Sequence, residues 1–168
     1  KNGLHTEYFE NGQVESERNY KDGKRHGKRT QWYKNGQKEQ EENYNDGVLD
    51  GKWTDWYENG QKRREKNFKE GVFVDTHTTW YENGQKKMES NFKHNDLDGK
   101  QSKWYKSGKI QSESYYTKHK LDGLSTMWYE NGHKMSELHF KDNHLDGKHT
   151  YYNSSGEIIS EKIYKQNE

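Results

Sequence analysis

The sequence predicts an all-β chain, an elongated single-layer antiparallel meander of seven β-hairpins, and three observations predict it. Glycine recurs at Gly12, Gly36, Gly60, Gly84, Gly108, Gly132 and Gly156, a spacing of 24 that never slips over 168 residues. The tract Trp56-Tyr57-Glu58-Asn59-Gly60-Gln61 sets an Asn-Gly pair between two strand-like runs, a strong short-range hairpin signal. Finally, hydrophobic residues make up 25% of the chain, far below the roughly 45–50% apolar usage of globular domains, with no alanine to favour helices. Aromatics at 14% and a formal charge of only +1 separate this composition from that of a disordered chain.

The seven units run 1–24, 25–48, 49–72, 73–96, 97–120, 121–144 and 145–168, as one repeat domain without linker or tail. An aromatic column occupies Tyr20, Tyr44, Phe68, Phe92, Tyr116, Phe140 and Tyr164. A glutamate column occupies Glu17, Glu41, Glu65, Glu89, Glu113, Glu137 and Glu161, and a hydroxyl residue stands at Thr6, Thr30, Thr54, Thr78, Ser102, Thr126 and Thr150. Tryptophan fills Trp32, Trp56, Trp80, Trp104 and Trp128. Within a unit such as Gly51 to Val72 a tight Asn-Gly turn alternates with a wider one such as Asn45 to Gly51, and the alternation gives up to fourteen strands. No proline removes a ladder donor.

A two-residue turn at Asn59-Gly60 pairs Glu58 with Gln61 and, counting outward, Tyr57 with Lys62, Trp56 with Arg63, Thr54 with Glu65 and Gly51 with Phe68. The same count across the wide turn sets Tyr44 opposite Gly51. Each ring of the aromatic column then lies between two strand glycines and covers their bare backbone. On the other face Glu41 falls between Thr30 and Thr54, and the tryptophans alternate with Glu39, Arg63, Lys87, Gln111 and Met135, which predicts cation–π contacts from Arg63 and Lys87. A rival three-residue turn with a bulge puts Asn67 opposite Gly51.

The tracts Gly51-Lys52-Trp53-Thr54-Asp55-Trp56-Tyr57-Glu58-Asn59-Gly60-Gln61 and Leu121-Asp122-Gly123 through Phe140-Lys141 resemble the bacterial variant of the MORN repeat, over all seven units. The resemblance implies an extended sheet of successive hairpins without enzymatic activity. It also implies antitoxin-like, envelope-associated or scaffolding company. Two units depart from it: Phe73-Val74-Asp75 replaces Leu-Asp-Gly, and Asn153-Ser154-Ser155 replaces Tyr-Glu-Asn.

The residues argue against catalysis. Paired carboxylates serve glycosidic cleavage, but a glutamate repeated seven times is a ladder position, whereas a catalytic group must differ from its copies. There is no cysteine, hence no thiolate site or disulfide framework, and no phosphate-cradling glycine motif. The nine histidines show no ligand spacing beyond a weak grouping of His139, His144 and His149. We expect neither cofactor nor metal. Twenty-nine Lys and Arg against 28 Asp and Glu disfavour nucleic acid, and the one basic turn, Lys24 to Arg29, reads as a solvated loop. No apolar run approaches the roughly 20 residues of a transmembrane segment, and the chain as given reads as soluble, its compartment open between cytoplasm, envelope and secretion. Lys1 in place of methionine points to a processed piece.

What remains is binding, with a protein as the expected partner and an antitoxin-like or immunity protein as the narrower case. The candidate surface is Trp32, Trp56, Trp80, Trp104 and Trp128, with Arg63 and Lys87 between them and the symmetry-breaking Phe73 and Asp75 alongside. The alternatives are a structural or cell-surface repeat that self-associates through its edge strands, and a carbohydrate-binding module that uses the rings as sugar platforms.

Overall fold

The computed structural model describes residues 2–165. They form sixteen antiparallel strands and, among the described residues, no helix. By packing, the chain divides into two units, residues 1–84 and 85–168.

The first unit holds β1 (Gly3–Tyr8), β2 (Val14–Lys21), β3 (Lys24–Trp32), β4 (Lys38–Asn45), β5 (Val48–Leu49), β6 (Gly51–Trp56), β7 (Lys62–Lys69) and β8 (Val72–Trp80). They pair in chain order as an open meander, with β5 a short piece on β4. The second unit repeats the plan with β9 (Lys86–Lys93), β10 (Asp96–Trp104), β11 (Ile110–Thr117), β12 (Lys120–Trp128), β13 (Lys134–Lys141), β14 (His144–Leu145), β15 (Gly147–Tyr152) and β16 (Ile158–Tyr164), β14 pairing with β13. The two short pieces aside, seven strands per unit meet the expected fourteen.

Gly51 faces Phe68 and Thr54 faces Glu65, as the two-residue count requires, yet the turn between them is the rival one. Gly60 N donates to Tyr57 O at 2.9 Å and Tyr57 N to Gln61 O at 2.8 Å, enclosing Glu58-Asn59-Gly60 as a three-residue loop. Gly60 takes φ +82°, the left-handed conformation such a loop needs after its type I turn. Trp56 accordingly pairs with Lys62, and not with Arg63. Arg63 is then the extra residue of a bulge, after which Asp55 meets Arg64 and the first register resumes. Two one-residue offsets of opposite sign cancel, which is why both counts are partly right.

The wide turn is likewise corrected. Asp46 and Gly47 both have positive φ, +47° and +92°, the signature of a two-residue type I′ turn. Tyr44 therefore pairs with Leu49, and not with Gly51. The strand takes up the two surplus residues at Asp50 and Gly51: Asp50 N donates to Asn43 O at 2.9 Å and the Asn43 amide donates to Lys52 O at 2.8 Å. Glu41 then faces Thr54 as expected. Rings of the aromatic column thus lie opposite a glycine on one side alone: Tyr44 opposite Gly27, Phe68 opposite Gly51, Phe140 opposite Gly123, while in the fourth unit Asp75 takes the glycine's place.

There is no second layer within either unit to bury an apolar core. Among the described residues no apolar side chain is buried, while Thr30, Thr54, Thr78, Ser102, Thr126 and Thr150 are. The small hydroxyl residues run down the middle of the sheet, and the large rings around them stay partly in solvent.

Candidate binding surface

Side chains alternate across a strand, so the register divides them between two faces. Thr54, Trp56, Lys62 and Glu65 share one face, and Trp53, Asp55, Arg64, Lys66 and Phe68 share the other.

On the first face Glu41 and Glu65 each lie between hydroxyl residues and lysines. Lys52 and Lys62 reach Glu65 at 3.0 and 2.7 Å, and Lys28 and Lys38 reach Glu41 at 3.1 and 2.7 Å. Ser102 and Thr150 donate to Glu113 and Glu161 at 3.3 Å. Half-burial alone would push the Glu41 and Glu65 carboxyls up, but the paired lysines outweigh it and hold both below their ordinary value. Glu137 is lowered chiefly by its bond from Lys134. From Glu41 onward each glutamate of the column pairs with a lysine, as a structural position would.

The tryptophans stand on this face, half-buried. In the first unit Lys38 lies 5.7 Å from the Trp56 ring centroid and Lys62 lies 5.5 Å from that of Trp80; in the second unit Lys86 lies 5.5 Å from Trp104. The cation over each ring is the lysine that opens a returning strand, one position before the expected Arg63. The bulge explains the difference, because it turns Arg63 to the opposite face beside Arg64. There Arg63 Nε and Nη2 donate to Asp55 at 3.1 and 2.7 Å. Lys87, the equivalent residue one repeat on, is exposed. The Tyr hydroxyl next to each Trp ties repeats together: Tyr33 donates to Trp56 O at 2.8 Å and Tyr57 to Trp80 O at 2.9 Å.

Phe73 sits on the second face, paired with Phe68 with ring centroids 5.7 Å apart. Asp75 is exposed, at a backbone position that is glycine in the other six units, and keeps the positive φ of that position at +63°. The mid-array departure in sequence is therefore not a departure in backbone. His139 and His149 do not converge as ligands; His139 Nδ1 meets Lys148 O at 2.8 Å and His149 Nε2 meets His139 O at 2.9 Å. Among the described residues no group of three His, Cys, Asp or Glu is arranged to hold a metal.

Sequence reasoning missed a cluster on the second face. Asp55 is buried at 2% exposure and takes both Arg63 and Arg64 on its Oδ2, while its Oδ1 has no hydrogen-bond partner. Trp53 donates its indole N–H to Glu42 at 3.1 Å and carries Arg64 and Lys66 over its ring at 5.2 and 5.5 Å. No column announces this cluster, since its residues occur together in one repeat; the adjacent Arg63-Arg64 pair was its only sequence signal.

Among the described residues no helix is long and apolar enough to cross a membrane. No curated protein matches the chain. The model of the MORN repeat variant matches it seven times, over residues 1–22, 25–46, 49–70, 76–94, 97–118, 121–142 and 145–166, skipping 73–75 where Leu-Asp-Gly is replaced. Hairpin, column and turn recur in those same seven segments, and the chain belongs to the MORN repeat variant family.

Proposed function

We propose that this chain is a non-catalytic scaffold that binds a protein partner through its tryptophan-bearing face. The observation that carries the reading is the lack of any buried apolar side chain among the described residues. In an ordinary two-layer fold Trp32, Trp56 and Trp80 would be inside; here they lie on a regular face, each a flat ring beside lysines and glutamates. Trp, with charged groups at its margin, is the residue type that dominates interface energetics. Concavities near this row are open, such as the one of about 460 Å³ lined by Val14, Glu17, Trp32 and Gly36, which suits a macromolecular surface better than an enclosed small substrate. The family's repeats are scaffold units, which agrees with this reading. Its narrower case is an antitoxin-like or immunity protein whose partner is a toxin.

The test is stoichiometric complex formation. Chain bearing photo-crosslinkers at Gln37 or Gln61, at the turns beside the Trp row, is expected to capture one protein of its source cell. Trp56→Ser with Trp80→Ser is expected to abolish the capture, with the β circular dichroism retained. A complex indifferent to those tryptophans would overturn the surface, and absence of any stoichiometric complex would overturn the function.

A further inference from the structure

All five arginines of the chain, Arg18, Arg25, Arg29, Arg63 and Arg64, fall in the first unit. With Lys66 they lie on the face opposite Trp56. Their direct carboxylate partners are fewer. Arg18 pairs with Glu7 at 2.8 Å and Arg29 with Glu42 at 3.0 Å, but Arg63 and Arg64 share one oxygen of Asp55. Arg25 has the Tyr44 hydroxyl at 3.1 Å, and Lys66 lies over the rings of Trp53 and Phe73, at 5.5 and 5.8 Å. Among the described residues, six cations are thus met by three carboxylates in direct contact.

The imbalance is concentrated and accessible. Arg63 and Arg64 are each 41% exposed, against 3% for the Asp55 side chain beneath them. Asp55 engages Nε and Nη2 of each, leaving the Nη1 edges turned from it. Neighbouring groups register the surplus: His77 is held at about 4 by burial and then by the charges of Lys66 and Arg64, which Asp55 offsets only in part.

We propose that Arg63, Arg64 and Lys66, with the Trp53 and Phe73 rings, dock an acidic peptide segment of a protein partner. Guanidinium forks match carboxylates in geometry, and the flanking rings take up the apolar parts of the segment. Glu7 and Glu42 interrupt the arginines, which disfavours the unbroken charge of a polyphosphate backbone and suits a chain whose carboxylates are discrete. The inference extends the reading of the chain as a protein-binding scaffold, but it uses the other face, so the two fail separately.

The test is fluorescence anisotropy of a labelled Glu/Gly peptide with the full chain. Saturable, salt-sensitive binding is expected, weakened about tenfold by Arg64→Gln with Lys66→Gln. Arg64→Lys with Lys66→Arg should retain it, and Lys28→Gln with Lys52→Gln, an equal charge change on the opposite face, should leave it unaltered. Bound carboxylates should also raise the His77 titration, read by NMR. No binding, equal loss from the Lys28 and Lys52 variant, or tighter binding of a single-stranded oligonucleotide or a phosphatidylserine vesicle than of the peptide would each overturn the proposal.

Discussion

Asp75 stands where Gly51 stands one repeat earlier and holds the same left-handed backbone, φ +63° against +104°. Asp is among the few L residues that tolerate that region, because its short polar side chain can bond locally. Replacing Asp75 by glycine removes residual strain but frees the unfolded chain, and the two effects oppose one another at under about 1 kcal/mol each. Asp75→Gly is expected to shift stability little. Asp75→Val puts a β-branched side chain at positive φ and is expected to cost roughly 1–3 kcal/mol, read by urea denaturation.

Lys62 over Trp80 and Arg63 on Asp55 are adjacent residues with separate duties on opposite faces. A double-mutant cycle of Lys62→Met with Trp80→Leu is expected to show coupling of about 0.5–1 kcal/mol. The same cycle with Arg63→Met in place of Lys62→Met should give none. Equal coupling in both cycles would restore the unbulged register.

What the sequence discloses here is whatever repetition protects. Gly51 against Phe68 and Thr54 against Glu65 are legible because the first pair of residue types recurs in six units and the second in all seven, in fixed phase, and a register consistent with one is consistent with all. Arg63 was misplaced because a bulge leaves the period unchanged. Two compensating offsets inside one hairpin return Glu65 and Phe68 to their expected partners, so nothing outside the bulge reports it. The type I′ turns were hidden for a different reason. Asp46-Gly47 is a favoured pair for that turn, but the two surplus residues at Asp50 and Gly51 made the connection count as wide, and at His94-Asn95, Lys118-His119 and Asp142-Asn143 both central residues take positive φ without a glycine to mark them. The Asp55 cluster escaped because it occurs once, and column reasoning sees only what is copied.

Asp55 is the buried member of its cluster, and Asp55→Asn leaves Arg63 and Arg64 without their carboxylate. A hydrogen bond to a charged group is worth roughly 1.5–3 kcal/mol, and water reaching the half-exposed guanidinium groups places this loss near the lower figure. The midpoint of urea unfolding is expected to fall accordingly. Arg63→Gln alone should cost less, since Arg64 still holds Oδ2. An Asp55→Asn chain as stable as the original would show that the buried carboxylate is balanced by its own desolvation.

The ion-pair row of Glu41, Glu65 and Glu137 sets the acid behaviour. Burial raises the Glu41 and Glu65 carboxyls, the paired lysines lower them further than burial raises them, and Glu137 is lowered mainly by Lys134. Each folded-state value therefore lies under the ordinary 4.5 of the unfolded chain. A depressed carboxyl contributes its stabilisation in full above the unfolded value and loses it as pH falls through the folded one. The melting temperature is thus expected to be level from neutrality down to about pH 5 and to drop below that. Glu41→Gln with Glu65→Gln should lower the plateau and flatten the acid limb together, because the variant has less left to lose. A plateau lowered with an unchanged acid limb would place the acid sensitivity in other carboxylates.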